Sequence, residues 1–170
     1  MAAACSPLSL FNTLGPRDRG AAKVASGLRY GDDPRQVMDV TLPAGPGPHP
    51  VLMLIHGGAF KMGDKAMSAV SEQVLAAGIA VVRINYRLTG TDLWPAQLDD
   101  CLAAVAFLRA KGGDFGLDPA RMALWGQSAG GFLAVSTALS LVQAGTPPQA
   151  VIDLPVRVPL GFHGNWIAAT

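Results

Sequence analysis

Residues 121–131 read RMALWGQSAGG, and this stretch decides the fold. The run 121–125 is short and mostly apolar, as in a strand buried on both faces of a parallel sheet. The turn at 126–130 follows, and a helix is predicted over 131–143. A serine on such a strand-turn-helix elbow projects above the sheet, and small neighbours relieve the crowding of the turn. We therefore predict that Ser128 is a nucleophile, with an idle serine in a glycine-rich turn as the alternative.

The rest of the chain repeats this alternation of strand and helix. Apolar runs at 51–55, 79–84 and 150–154 predict further strands, and 35–42 alternates like a half-exposed edge strand or hairpin arm. Helices are predicted from about Lys65 to Ala77, ended by Gly78, and from Pro95 to the Gly112-Gly113 pair. This order implies right-handed βαβ crossovers and an α/β fold with a doubly wound, mostly parallel sheet in three layers.

A second glycine-containing motif, HGGAF at 56–60, directly follows the strand at 51–55. Ester hydrolysis passes through a tetrahedral oxyanion, which backbone amides in a segment with little side-chain bulk can stabilise. We expect the amides of Gly58, Ala59 and Ala129 to form this oxyanion hole. His56 precedes the serine, whereas the order in this kind of site is serine, acid, histidine, so we interpret His56 as a structural anchor of the loop.

Composition excludes several other functions. The 170 residues carry a net charge of +1 with scattered basic residues, which argues against nucleic acid or acidic membranes as partners. No apolar run is long enough for a membrane span, and no nucleotide-binding glycine motif is present. Cys5 and Cys101 fit no metal or redox spacing and are interpreted as free thiols, with a cytoplasmic location following. No metal or organic cofactor is implied.

Five segments together resemble the carboxylesterase and lipase group of α/β-hydrolases related to hormone-sensitive lipase, in particular its feruloyl-esterase-like branch. They are HGGAF (56–60), NYRL (85–88), WPAQLDDC (94–101), FGLDP (115–119) and WGQSAGG (125–131). The resemblance implies a serine carboxylic-ester hydrolase that acts on a small-molecule ester with a small or aromatic acyl group. It also implies structural roles, in packing or hydrogen bonding, for Asn85, Arg87, Asp99 and Asp100.

The residues after Ser128 depart from the family pattern. The family takes its acid from beyond a seventh strand and its histidine from beyond an eighth, and 42 residues do not hold these strands. Asp153 and His163 stand in the right order for a compact triad, but Asp153 falls within a predicted strand and His163 in an irregular run. We therefore expect an incomplete triad, from a truncated chain or a shifted reading frame.

This expectation divides the chain into three parts and leaves the function open between classes. The parts are a loosely ordered leader at 1–26, the N-terminal two-thirds of an α/β-hydrolase domain at 27–154, and an atypical tail at 155–170. One alternative function is a catalytically inactive fragment or interaction module, self-associating through an exposed sheet edge. The second is an acyltransferase or peptidase that uses the same elbow.

Overall fold

The structure, a computed structural model, describes residues 20–67 and 71–145. Its centre is a five-stranded sheet in the order β1-β2-β4-β3-β5. The strands are β1 (Ala22–Arg29), β2 (Val37–Leu42), β3 (His49–Ile55), β4 (Ala80–Ile84) and β5 (Leu117–Gly126). β3 pairs in parallel with β4 and β5, while β2 pairs antiparallel with β1 and β4. Of the five described strands only β2 therefore runs against the others, and the predicted α/β fold with a mostly parallel sheet is confirmed.

Three α-helices cover the two faces of this sheet. They are α1 (Ser71–Ala76), α2 (Ala96–Lys111) and α3 (Ala129–Gln143), with 3-10 turns at Lys65–Met67 and Gly112–Phe115. The core under α2 and α3 contains Val105, Leu108 and Leu133, while the core under α1 contains Val74 and Leu75. The sheet therefore lies between two helical layers.

β3 is an interior strand between β4 and β5, and its position fixes the geometry of the glycine motifs. Its residues at odd positions, such as Met53, pack towards α2 and α3, whereas Leu52 and Leu54 pack towards α1. This burial on both faces is what the continuous apolar run at 51–55 predicted. Ile55 lies opposite Gly126 in the register of β3 and β5, so the HGGAF segment and the serine turn leave the sheet side by side.

Several predicted boundaries need correction. β1 begins at Ala22, inside the predicted leader at 1–26, and pairs with β2 as a hairpin, which leaves β2 as a hairpin arm away from the sheet edge. The helix predicted from Lys65 is a separate 3-10 turn at that point, because Asn85 Oδ1 accepts the Lys65 amide at 2.6 Å and ties the turn to the end of β4. The strand predicted at 150–154 lies outside the described residues, as do residues 1–19.

Helix ends also differ in detail from the sequence prediction. Gly78 follows α1 with φ +79, and the Ile79 amide donates to the Val74 carbonyl at 3.2 Å, so the predicted left-handed cap is confirmed. α3 begins at Ala129, two residues before the predicted start. Its hydrogen bonds begin directly at the serine turn, because the Phe132 amide donates to the Ser128 carbonyl at 3.1 Å.

Asp39 is a buried carboxylate that joins separate segments of the chain. It accepts a hydrogen bond from the Gly27 amide at 2.9 Å and pairs with Lys23 at 2.9 Å and Lys65 at 3.1 Å. Burial acts to raise the pKa of Asp39, but these donors outweigh burial and lower the pKa to about 2. The hairpin and the segment before α1 are therefore held by one charged group.

We expect acid to destabilise the fold through Asp39. An unfolded aspartate titrates near pH 4, so between about pH 4 and pH 2 the unfolded state binds a proton that the native state does not. Stability is therefore lost as the pH falls through this window. The urea midpoint of an Asp39→Asn variant should fall less than that of the parent protein between about pH 5 and pH 2. If the urea midpoints of the two proteins fell equally, Asp39 would not be the group that makes the fold sensitive to acid.

Candidate active site

The predicted nucleophile, Ser128, lies on a strained turn between β5 and α3. Its backbone has φ 55 and ψ −122, a region that side chains other than glycine rarely occupy, and the residue is exposed. β5 ends at Gly126 and α3 begins at Ala129, so the turn consists of two residues. The prediction that 121–125 is buried on both faces is wrong: Arg121 is exposed and 122–125 are only partly buried, because β5 is an edge strand of the described sheet. Strain stored at a single exposed serine between a strand and a helix is typical of a nucleophile elbow.

Glycines at 126 and 130 allow this turn to form. A Cβ on Gly126 would lie 2.2 Å from the carbonyl carbon of Gly130. On Gly130 a Cβ would lie 2.1 Å from the carbonyl oxygen of Ile55, the last residue of β3. The first turn of α3 therefore packs directly on the end of β3.

The HGGAF segment forms a second strained turn beside the first. Gly58, Ala59 and Phe60 have φ values of +114, 53 and 62, and the amides of Lys61 and Met62 both donate to the Gly58 carbonyl at 3.0 Å. Three consecutive residues with positive φ reverse the chain tightly. This turn also touches the elbow, since a Cβ on Gly57 would lie 2.7 Å from the Gln127 carbonyl oxygen.

Three backbone amides near Ser128 make no hydrogen bond to the residues that the structure describes. They are the amides that the sequence predicted for an oxyanion hole, those of Gly58, Ala59 and Ala129. The Ala129 amide is free because it opens α3, where first-turn amides have no partner within the helix. Unpaired amides on two adjacent strained turns are donors available to a bound anion.

An open cleft of about 560 Å³ lies over the elbow. Ser128, Ala59 and Ala129 line one part of it, and the remaining lining residues are Phe60, Thr89, Trp94, Gln97 and Phe132. Phe132 contacts Phe60 and Trp94 edge to face, with ring centroids 5.9 and 5.7 Å apart. The structure therefore brings together the serine, two of the three predicted amide donors and an aromatic wall.

His56 is a structural residue, in keeping with its sequence interpretation. Its ring is buried, stacks on Tyr86 with centroids 4.3 Å apart, and places Nδ1 2.7 Å from the Gly57 carbonyl oxygen. Burial lowers the pKa of His56 below its usual value, which favours the neutral ring with Nδ1 donating to that carbonyl. Tyr86 in turn donates from its hydroxyl to the His56 carbonyl at 2.9 Å.

Arg35 supports the HGGAF turn, and sequence reasoning gave it no role. It donates from Nε to the Tyr86 carbonyl at 2.8 Å and from Nη2 to the Gly63 carbonyl at 2.9 Å. The Thr89 amide also donates to the Phe60 carbonyl at 2.8 Å. These contacts span 51, 28 and 29 positions of the chain, so no local pattern could have revealed them.

The predicted structural role is present for Asp100 and absent for its neighbour Asp99. Asp100 is fully buried and binds the backbone amide and the guanidinium of Arg87, with the shortest contact at 2.7 Å. This contact with Asp100 raises the pKa of Arg87 above its usual value. Asn85 also has a structural role, donating to Asp64 at 2.8 Å. Asp99 is exposed and its carboxylate makes no hydrogen bond to the described residues, because the helix turns it away from Arg87.

The candidate acid and base of a compact triad, Asp153 and His163, lie outside the described residues. Within residues 20–67 and 71–145, Ser128 Oγ makes no hydrogen bond. Over the same part of the chain, no helix is both long and apolar enough to cross a membrane. Cys101 is a buried free cysteine whose pKa burial raises to about 12, so it is no candidate nucleophile.

Comparison with known proteins connects this geometry to esterases. The family model BD-FAE matches residues 38–147. Esterase LipC of Mycobacterium tuberculosis is 36% identical over 149 residues, which cover 81% of this chain and 36% of LipC. An acetyl-hydrolase of Streptomyces hygroscopicus is 36% identical over 116 residues, 66% of this chain and 38% of the relative. The chain thus spans about a third of the length of the curated relatives it matches.

Solved structures give the same result. A bacterial heroin esterase superposes with a TM-score of 0.63 at 31% identity, covering 78% of this chain and 43% of the esterase. A truncated form of a carbohydrate esterase from gut microbiota has a TM-score of 0.66 at 26% identity and covers 89% and 54% of the two chains. The family model, the curated relatives and the solved structures therefore agree, and the resemblance on which the sequence prediction rested is confirmed.

Proposed function

This chain belongs to the BD-FAE family, and we propose that it carries the nucleophile and the oxyanion hole of a serine carboxylic-ester hydrolase. The observation that carries the proposal is the strained, exposed Ser128 in a cleft that Ala59 and Ala129 also line. The esterase names of the relatives support the reaction class. The aromatic wall of the cleft supports a substrate with an apolar acyl or alcohol group.

The proposed chemistry proceeds through an acyl-enzyme. Ser128 Oγ attacks the acyl carbon while its proton passes to a general base, and the carbonyl oxygen becomes an oxyanion. The amides of Gly58, Ala59 and Ala129 stabilise that oxyanion. The tetrahedral intermediate then expels the alcohol, which takes up the proton. Water attacks the acyl-enzyme in the same way, releasing the acid and restoring the serine hydroxyl.

We propose that the described residues do not supply the general base of this reaction. Residues 20–67 and 71–145 contain His49 and His56, and both are buried in structural positions. His56 is further disfavoured because Nε2, the nitrogen that its Nδ1 contact with Gly57 leaves free, is buried, and His56 does not line the cleft. Without a base, the Ser128 hydroxyl is a poor nucleophile near neutral pH, so we expect this chain to hydrolyse esters slowly. The compact triad with Asp153 and His163 is the alternative.

A Ser128→Ala variant is expected to reduce hydrolysis of p-nitrophenyl acetate to the rate without protein. Initial rates at matched concentration measure this, with circular dichroism to show that each variant is folded. Ser136→Ala, a serine of α3 that does not line the cleft, is the matched control and should keep the parent rate. Hydrolysis that survives Ser128→Ala would refute the proposed nucleophile.

A His163→Ala variant decides between the two accounts of the base. We expect this variant to hydrolyse the ester at the parent rate, because His163 has no part in the proposed catalysis. A loss as large as that of Ser128→Ala would establish the compact triad instead. Folded parent protein with no hydrolysis above the rate without protein would favour the non-catalytic module, and transfer of the acyl group to an added alcohol would favour an acyltransferase.

A further inference from the structure

Gln97 is a fully buried polar residue in the wall of the cleft, and neither the fold nor the proposed chemistry uses its carbonyl group. It lies in the first turn of α2 and is one of the residues that line the cleft. Its exposed fraction is 0%, and its Oε1 has no hydrogen-bond partner among the described residues. Buried side-chain acceptors are normally paired, so an unpaired acceptor beside a cleft calls for a functional explanation.

The orientation of the Gln97 amide is fixed by its other end. Nε2 donates to the backbone carbonyl of Asp92 at 2.7 Å. Exchanging the two ends would bring Oε1 against a second acceptor, which is repulsive, so the NH₂ group must face Asp92. Oε1 is therefore the end left free, and only a hydrogen-bond donor can satisfy it.

The other groups of the cleft complement this single acceptor. Phe60, Trp94 and Phe132 present aromatic surface, and the Thr89 hydroxyl already donates to the Phe60 carbonyl at 3.3 Å. The backbone amides near Ser128 are donors and suit the ester oxygen. Among the described lining residues, Gln97 Oε1 is thus the buried side-chain acceptor that has no hydrogen bond of its own, whereas the Thr89 hydroxyl is already bonded through its proton.

We infer that Gln97 Oε1 determines specificity by accepting a hydrogen bond from a hydroxyl or N–H group on the acyl or alcohol part of the ester. This inference rests on the proposed function, because it assigns the cleft to an ester. It makes the cleft selective, since a site with a buried acceptor discriminates against an otherwise equal ligand that lacks the donor. The aromatic wall holds the apolar body of the ligand, and Gln97 recognises its polar group.

The test compares binding of ligands that differ only in a donor, to a protein that cannot turn them over. Methyl phenylacetate and its 2-, 3- and 4-hydroxy isomers are titrated into Ser128→Ala protein by isothermal calorimetry, with the methoxy isomers as size controls. We expect at least one hydroxy isomer to bind roughly fivefold to tenfold more tightly than methyl phenylacetate, and its methoxy counterpart not to do so.

Adding Gln97→Met to the Ser128→Ala protein should reduce this preference to about one. Methionine keeps the length of the side chain and removes the acceptor, while a general disturbance of the cleft would weaken all ligands alike. Thr137→Val is the matched control, because Thr137 is equally buried but does not line the cleft, and the preference should survive it. If Gln97→Met does not fold, the comparison of hydroxy with methoxy isomers in the Ser128→Ala protein decides.

The outcomes separate this inference from the proposed function. A preference that persists in Gln97→Met, or no preference for any hydroxy isomer, overturns the role of Gln97. Ser128-dependent hydrolysis alongside that result would leave the proposed function intact. If the binding preference depends on Gln97 but the parent protein does not hydrolyse esters, the recognition site stands and the enzymatic proposal is refuted.

Discussion

Replacing Gly130 with alanine is expected to lower the free energy of unfolding by roughly 4 kcal/mol or more, a large part of the about 5 to 15 kcal/mol that holds a typical domain folded. The added Cβ would lie 2.1 Å from the Ile55 carbonyl oxygen and 2.7 Å from the His56 carbonyl oxygen. Both atoms belong to the backbone where β3 ends. No side-chain rotation can relieve the contact, so α3 and β3 must separate, and the elbow that depends on their contact is lost with them.

Urea denaturation followed by circular dichroism measures this effect. Gly113→Ala is the matched control, because a Cβ at Gly113 meets nothing within 4 Å. Its free energy of unfolding should lie within about 0.5 kcal/mol of the parent value, or slightly above it, because alanine restricts the unfolded chain more than glycine does. A Gly130→Ala protein with the parent midpoint would show that the first turn of α3 does not rest on β3 as described.

The parts of the fold that the sequence predicted are those in which local chemistry leaves few choices. Five consecutive apolar residues at 51–55 must be buried on both faces, and small residues around Ser128 are needed for a two-residue turn into a helix. These constraints act within a few residues of each other. They were therefore visible before any tertiary contact was known.

Other parts depend on contacts between distant residues and could not be predicted. β1 has the sequence AKVASGLR and is mostly exposed, so it lacks the apolar alternation that marks a strand. Its pairing with β2 and the contacts of Lys23 and Gly27 with Asp39 hold it in place. The positive φ values of Ala59 and Phe60 contradict the preference of their residue types. Arg35, which anchors that turn, and Gln97, which lines the cleft, are also defined only by tertiary contacts.

Asp99 and Asp100 illustrate the same limit in two adjacent residues. The sequence gives them identical chemistry, and the resemblance assigned both a structural role. Their positions on α2 differ by about 100° of rotation, which places Asp100 against Arg87 and Asp99 in solvent. The rotation of α2 about its own axis decides which carboxylate is structural. The spacing of apolar residues in the sequence did not determine this rotation closely enough.

Replacing Asp100 with asparagine is accordingly expected to lower the free energy of unfolding by about 2 to 3 kcal/mol. The carboxylate accepts hydrogen bonds from the Arg87 amide at 2.8 Å, from its Nη2 at 2.7 Å and from Gln36 Nε2 at 2.6 Å. Asparagine would present an NH₂ group to one of these donors and leave the Arg87 charge with Asp92 alone, at 3.2 Å. Asp100 is fully buried, so a donor left without an acceptor there loses its hydrogen bond out of reach of water.

Asp99→Asn is the control for this substitution, because it removes the same charge from the next residue of the same helix. Its free energy of unfolding should change by less than about 1 kcal/mol, the scale of a surface charge near a helix N-terminus. Equal effects of the two substitutions in urea denaturation would contradict the structural role of the Asp100–Arg87 contact.

Asp100→Asn should also weaken ligand binding in the cleft. Arg87 contacts Asp92 and the Ala96 carbonyl, and it thereby fixes the segment that carries Trp94 and leads into Gln97.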